Sequence, residues 1–272
     1  MSSHLPTYFL THGGGPWPWL KDERPGLYDK LEASIVDIPR QIGGRPKAVL
    51  VISGHWEESD FAVSSAAHPP MVYDYFGFPD HTYKIQYKAP GSPELAARVQ
   101  ALLEAGGVRC RSDAERGYDH GTFSMLKPLF PNEDVPVVQL SMRAGYDPAL
   151  HVAVGRLLAP LRDEGVLIIG SGSSYHNLRE WMRGSPASDS RQFDAWLQDA
   201  VLKSKPAERV NKLTHWTDAP AARASHPTED HLIPLMVAVG AAEKDAATLI
   251  YHQDDFMGRI VLSSFRFGEA TQ

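Results

Sequence analysis

The sequence predicts an α/β layered protein, and three observations carry that reading. Apolar, β-rich runs recur along its 272 residues, amphipathic helical patterns fill intervals between them, and no tract rich in Gly, Ser or Pro divides the chain. Strands alternating with helices are the signature of a sheet covered by helices. A single domain over 1–272 is therefore expected.

The first strand is expected at 8–11 and the second at 48–53, the run AVLVIS. Several of the runs are apolar without alternation, as central strands buried on both faces are. The stretch 69–93 is dense in Pro, Gly and Tyr and lacks helical periodicity. It reads as a long ordered loop that either walls a pocket for a flat substrate or packs on the surface. A helix over 93–105 places Leu95, Val99, Leu102 and Leu103 on one face and stops at Gly106-Gly107. A strand follows at 135–141, then a helix over 147–164 with Leu150, Val154, Leu157, Leu158 and Leu161 inward. Gly165 ends it before the strand at 166–169. Phe193, Trp196, Leu197 and Val201 mark a helix over 191–203, and Leu235 and Val239 another after His231. Strands at 248–251 and 260–267 close the chain.

Composition bounds the partners. With 27 basic and 33 acidic residues the net charge is −6, so no cationic excess exists to neutralise a nucleic-acid backbone or a lipid surface. The lone cysteine, Cys110, forms no intramolecular disulfide, and the N-terminus lacks the pattern of a signal peptide. A cytoplasmic protein with small-molecule partners is expected.

Twelve histidines are the unusual number, because His is both the commonest metal ligand and the side chain that titrates near neutrality. His12, His55 and His176 each follow an apolar run and stand at or just beyond the carboxyl end of a strand, the edge where α/β sheets bind ligands. Any one could be an ordinary packed histidine; three at equivalent positions argue for a site. His231, after Pro227 and the acidic pair Glu229-Asp230, falls in or near the first turn of a helix, as a functional group or a solvated helix start. His120 falls in a polar turn, Asp119-His120-Gly121. Paired cysteines, HExxH, GxGxxG, a phosphate loop and GxSxG are all absent, which disfavours zinc-finger, nucleotide and serine-hydrolase chemistry.

Taken in order, THGGGPWPW, VISGHWE, FGFP with YKAPGSPELA, GYDHGTF, VPVVQLS, GSGSSYHNLR and HPTEDHLIPLMVAVGAA run from about residue 8 to about residue 265. Together they resemble the DOPA-type extradiol ring-cleavage dioxygenases, within the class III group that includes protocatechuate 4,5-dioxygenase. The resemblance implies a mixed central sheet flanked by helices. It implies metal ligands at His12, His55 and His231, the last a glutamate in protocatechuate enzymes but a histidine in the DOPA type. It further implies an acid/base at His176 and a second active-site histidine at His120, while His226, where related chains vary, is a candidate substrate contact. The reaction implied inserts both atoms of O₂ into a catechol, with Fe(II) for activity, and gives a muconic semialdehyde type of product.

Three imidazoles also suit Zn(II), which the isolated protein could hold. A zinc hydrolase and a non-catalytic metal-binding scaffold are the competing functions, separated from the dioxygenase by dependence on O₂. For the pocket lining the candidates are Trp17, Tyr175, Tyr73, Phe76 and Phe78, each of which could equally be packing. Lys84, Lys88 or Arg179 could meet a substrate carboxylate.

Overall fold

The computed structural model describes residues 4–183 and 188–270. Its centre is one mixed eight-stranded sheet in the order β4-β3-β5-β2-β6-β1-β8-β7. The strands are β1 (Thr7–Thr11), β2 (Ala48–Glu58), β3 (Phe61–Ser64), β4 (Cys110–Asp113), β5 (Val137–Arg143), β6 (Val166–Gly172), β7 (Ala247–Phe256) and β8 (Ile260–Phe267). The middle four, β5, β2, β6 and β1, pair in parallel, so their carboxyl ends share one edge. Antiparallel pairing begins outside them, at β3 on one side and β8 on the other.

Two apolar layers cover the sheet, and the strand sequences show why. Leu50 and Ile52 of β2 belong to the same core as Phe193, Trp216 and Leu235, while Val49 and Val51 belong to the opposite core with Leu31, Phe123 and Leu126. Alternate residues of one strand thus serve two cores, which is why the run is apolar throughout. The first layer contains α3 (Pro93–Ala105), α5 (Pro148–Leu158), α7 (Ser188–Gln198), α8 (Pro206–Thr214) and α10 (Ile233–Ala241). The second contains α1 (Asp29–Val36), α2 (Ile38–Gln41) and α4 (His120–Leu129). Short helices α6 (Leu178–Arg183) and α9 (Ala222–Ser225) lie in the connections. Among the described residues no helix is long and apolar enough to cross a membrane.

The structure departs from the sequence expectations at identifiable places. Strand β4, Cys-Arg-Ser-Asp, is a polar edge strand and carries no apolar pattern to betray it. Helix 147–164 ends at Leu158 and finishes as a 3₁₀ turn, and helix 191–203 finishes as a π turn over Asp199–Lys203. The polar turn expected at His120 is the start of α4, capped by the Asp119 side chain accepting from Thr122 N. The helix start read from Pro227 is displaced: α10 begins at Ile233, with Pro234 in its first turn, where a missing N–H costs nothing. Within 69–93 the structure has a bridge at Met71 and a 3₁₀ turn, Asp80–Lys84, the remainder being irregular.

Candidate metal centre

Backbone geometry delivers five histidines to the carboxyl edge of the parallel strands. His12 directly follows β1, and its N–H donates to Gly172 O at 3.0 Å. The chain then turns at Gly13, with φ +78°, where an added Cβ would stand 2.5 Å from the Trp17 ring. Strand β2 runs past the expected end at Ser53, and its register with β5 shifts between Ile52 and Glu57. His55 sits in that irregularity, of the kind that re-aims a side chain. His231 lies in the turn before α10, and its carbonyl accepts from Ser173 N at 2.9 Å. A Cβ on Gly172 would stand 2.1 Å from the same carbonyl, so only glycine admits this contact. His176 follows β6, with its N–H donating to Ser225 O at 3.0 Å.

Three of these imidazoles point one nitrogen at a common space. His55 Nε2 lies 3.1 Å from His12 Nε2 and 3.1 Å from His231 Nε2. The ring centroids form a near-equilateral triangle, 4.9, 4.7 and 5.2 Å on its sides. Each other ring nitrogen has an oxygen partner: His12 Nδ1 meets Ser171 Oγ at 3.1 Å, His55 Nδ1 meets Asp74 Oδ2 at 3.3 Å, and His231 Nδ1 meets Asp230 Oδ2. A donor at Nδ1–H leaves a bare lone pair on Nε2, which is the ligating form of the ring. Metal–nitrogen bonds of about 2.0–2.1 Å put two ligands at right angles on one ion about 3 Å apart. The donor set and spacing therefore fit a divalent metal ion. Burial first, and the neighbouring imidazoles second, hold His12, His55 and His231 well below the usual histidine range, so all three are neutral at pH 7.

The other two histidines flank the triangle on different sides. His120, first residue of α4, lies 3.9 Å from the His55 ring and 5.3 Å from the His12 ring, and its Nδ1 donates to Asp74 Oδ2 at 2.9 Å. His176 stacks on His231, 3.4 Å between centroids and 13° between planes, with Nδ1 3.9 Å from Asp230 Oδ2. Burial lowers the His176 pKa, and Asp230 opposes that shift.

The remaining expected site residues fall at graded distances. Tyr175 is buried beside His176. His226 is fully buried between Phe193 and Trp216, donates from Nε2 to Ser174 O at 3.0 Å, and leaves its Nδ1 without a partner. Burial presses its pKa down to about 3. Trp17 is buried as well, stacked on Tyr28, with Nε1–H donating to His12 O at 2.6 Å, so it buttresses the His12 turn from behind. Tyr73 and Phe78 are half-buried, Phe76 is 91 % exposed, and Lys84, Lys88 and Arg179 are exposed.

Four supporting groups escaped the sequence reading: Asp74, Asp230, Ser171 and the pair Arg116–Asp119. Asp119 is buried and accepts from Ser53 Oγ, Arg116 Nη2 and Gln139 Nε2, while Arg116 also donates to His55 O at 3.3 Å. The one local signal was Asp119 itself, standing where a helix cap stands before Thr122.

Comparison with known proteins decides the family. A model of the catalytic LigB subunit of aromatic ring-opening dioxygenase matches residues 1–259. The chain belongs to this family. It is similar to the 4,5-DOPA dioxygenase extradiol of Portulaca grandiflora, 42% identical over 229 residues that cover 82% of this chain and 83% of that protein. The Beta vulgaris protein of the same name is 39% identical over 96% of both chains. That of Escherichia coli K12 is 33% identical over 98% of this chain and 96% of its own. Among solved structures, an uncharacterised Escherichia coli K12 protein superposes with a TM-score of 0.78 at 30% identity, covering 97% of this chain and 100% of that one. This chain is thus a metal-dependent extradiol ring-cleaving dioxygenase, and the expected α/β fold with a mixed sheet is the observed one.

Proposed function

We propose that this dioxygenase uses Fe(II), held by His12, His55 and His231, to open a side-chain-bearing catechol of the DOPA kind between a hydroxylated carbon and its non-hydroxylated neighbour. The single observation that supports it most is the convergence of three Nε2 atoms whose rings are each braced at Nδ1 by an oxygen. An iron held by these three histidines would supply open coordination for a catechol and O₂ and the electron transfer between them that zinc cannot. Neutral ligands leave the full divalent charge to favour a catecholate.

The residues around the ligands supply the proton handling. His120, with Nδ1 engaged by Asp74, offers Nε2 to take a proton from a catechol hydroxyl. His176, with Nδ1 toward Asp230, offers Nε2 to return a proton to the oxygen that leaves. Its burial makes it a ready donor once protonated. Tyr175, His226 and Trp17 serve in this reading as substrate wall and support. The same reading treats 1–272 as one catalytic domain acting in the cytoplasm, in keeping with one continuous sheet and a lone, buried Cys110.

Anaerobic loading with Fe(II), then air and a panel of DOPA, caffeate and protocatechuate, tests the proposal. Stoichiometric O₂ uptake with growth of a yellow product is expected, highest for a catechol with a flexible side chain, and the zinc-loaded protein is expected to be inert. Absence of O₂ uptake at full iron occupancy, for every catechol, would overturn it.

A further inference from the structure

The 69–93 segment carries a carboxylate into the metal centre. Its path there is fixed by backbone pairing. Val72 N donates to Tyr118 O at 2.8 Å and Tyr118 N to Pro70 O at 2.8 Å, a parallel bridge just ahead of Asp119-His120. A Cβ at Gly117 would stand 2.2 Å from Pro70 O, so the close approach depends on glycine there. Downstream, the Tyr73 hydroxyl donates to Ile85 O and the Tyr75 hydroxyl to Thr82 O, both at 2.6 Å, which ties both flanks of residue 74 to the far limb of the loop.

Between those ties stands Asp74, with a side chain 17% exposed. Oδ1 accepts the backbone N–H of His120 at 3.0 Å, and Oδ2 accepts His120 Nδ1–H at 2.9 Å. The same Oδ2 faces His55 Nδ1 at 3.3 Å. A carboxylate that only accepts obliges the His120 ring to carry hydrogen on Nδ1 and a lone pair on Nε2, and its charge 3.3 Å from His55 Nδ1 favours the same form there. That form suits His55 for ligation and His120 for taking up a proton.

We propose that Asp74 is a positioning residue for this reaction: it sets the tautomer and ring plane of a metal ligand, His55, and of a proton acceptor, His120, making the 69–93 loop a working part of the centre. The inference rests on the metal-centre reading above.

The test measures Zn(II) affinity of the metal-free protein by chelator competition, and steady-state turnover of the Fe(II) form. Asp74→Asn is expected to weaken zinc binding and to lower kcat about 10–100-fold each, the range for a lost partner of a ligand histidine. Asp80→Asn, which removes a charge from the same loop, is expected to change zinc affinity less than twofold. In a His120→Gln background Asp74→Asn should still weaken zinc, through His55, but should add little further loss of kcat. If Asp74→Asn also lowers the melting temperature, Tyr73→Phe loosens the loop while sparing the carboxylate, and an equal zinc loss in both at equal destabilisation overturns the proposal. So does zinc affinity within twofold of wild type in Asp74→Asn. Wild type without O₂ uptake on catechols would refute the functional reading alone, because the zinc comparison judges Asp74 independently.

Discussion

Two carboxylates serve the histidine cluster from different sides, and they are built differently. Asp230 precedes His231 directly in the chain; it holds that histidine closely and reaches His176 only at 3.9 Å. Asp74 is 46 residues from His120; it holds that free histidine at 2.9 Å and the ligand His55 at 3.3 Å. One side is therefore tight on a histidine of the triangle and loose on the histidine flanking it, and the other is tight on its flanking histidine. In the proposed centre this means that ligand support is local in sequence, while support for the proton acceptor comes from a separate segment brought in over the site.

The largest effects come from breaking what both sides share. Removing a ligand imidazole, His12→Ala or His231→Ala, should abolish stoichiometric iron and bring O₂ uptake to background, since two remaining nitrogens no longer close a facial site. Metal analysis beside oxygen-electrode rates checks this. Retained iron with full turnover would assign the ligands elsewhere.

Next are the two flanking histidines, which should separate the sides. His120→Ala and His176→Ala are each expected to keep the metal and to lose about 10²–10⁴-fold in kcat, the usual worth of a positioned acid or base. A catechol whose first hydroxyl is already ionised at neutral pH arrives with one proton fewer to remove. It should restore much of the rate to His120→Ala and little to His176→Ala. Equal restoration in both variants would show that the two histidines are interchangeable and that the comparison between sides has no functional content.

A smaller effect is expected at Asp230→Asn. The variant loses the charge next to His231 and should weaken metal binding by about tenfold, with a smaller change in kcat than Asp74→Asn because the contact to His176 is long. The ratio of kcat to metal affinity changes in the two variants is the measurement; equal ratios would erase the distinction drawn from the distances.

The same contrast explains what the sequence disclosed. His12, His55 and His176 were legible because each follows a run whose unbroken apolar character marks a central parallel strand, and the carboxyl edge of such strands is where sites lie. Those runs likewise revealed six of the eight strands. His231 and His120 were placed near the site by resemblance; His231 stands just ahead of its helix, as read, whereas the polar turn read at His120 is the start of α4, because the Asp119 cap starts a helix there. Asp74 was hidden for a physical reason. Its partner residues are distant in the chain, and nothing in Tyr73-Asp74-Tyr75 indicates that a bridge at Met71 and Tyr118 will place this acid beside two imidazoles. Strand β3 is only four residues long and β4 is polar, so neither offered a periodic signal.

The smallest effect sharpens the comparison by removing the metal centre from it. His151, in α5, is as deeply buried as His12 and His231, but its nitrogens are satisfied by backbone: Nδ1–H donates to Asp147 O at 2.6 Å, and Nε2 accepts from Arg143 N at 3.2 Å. Burial lowers its pKa from 6.5 to about 4, and a proton added at Nε2 would displace the Arg143 N–H. The folded pKa lies below the unfolded one, so the unfolded chain takes up the proton first as pH falls. Stability from a neutral His151 is then complete above about pH 6.5, is lost between there and about pH 4, and changes no further below. A shift of that size amounts to about 3 kcal/mol at most. Urea unfolding of wild type and His151→Gln at pH 7.5 and 4.5 should show the stability gap closing on acidification, since other buried histidines contribute equally to both proteins and cancel. A gap that stays constant would mean that His151 titrates alike in the folded and unfolded chains, and that burial alone does not keep a histidine of this fold neutral.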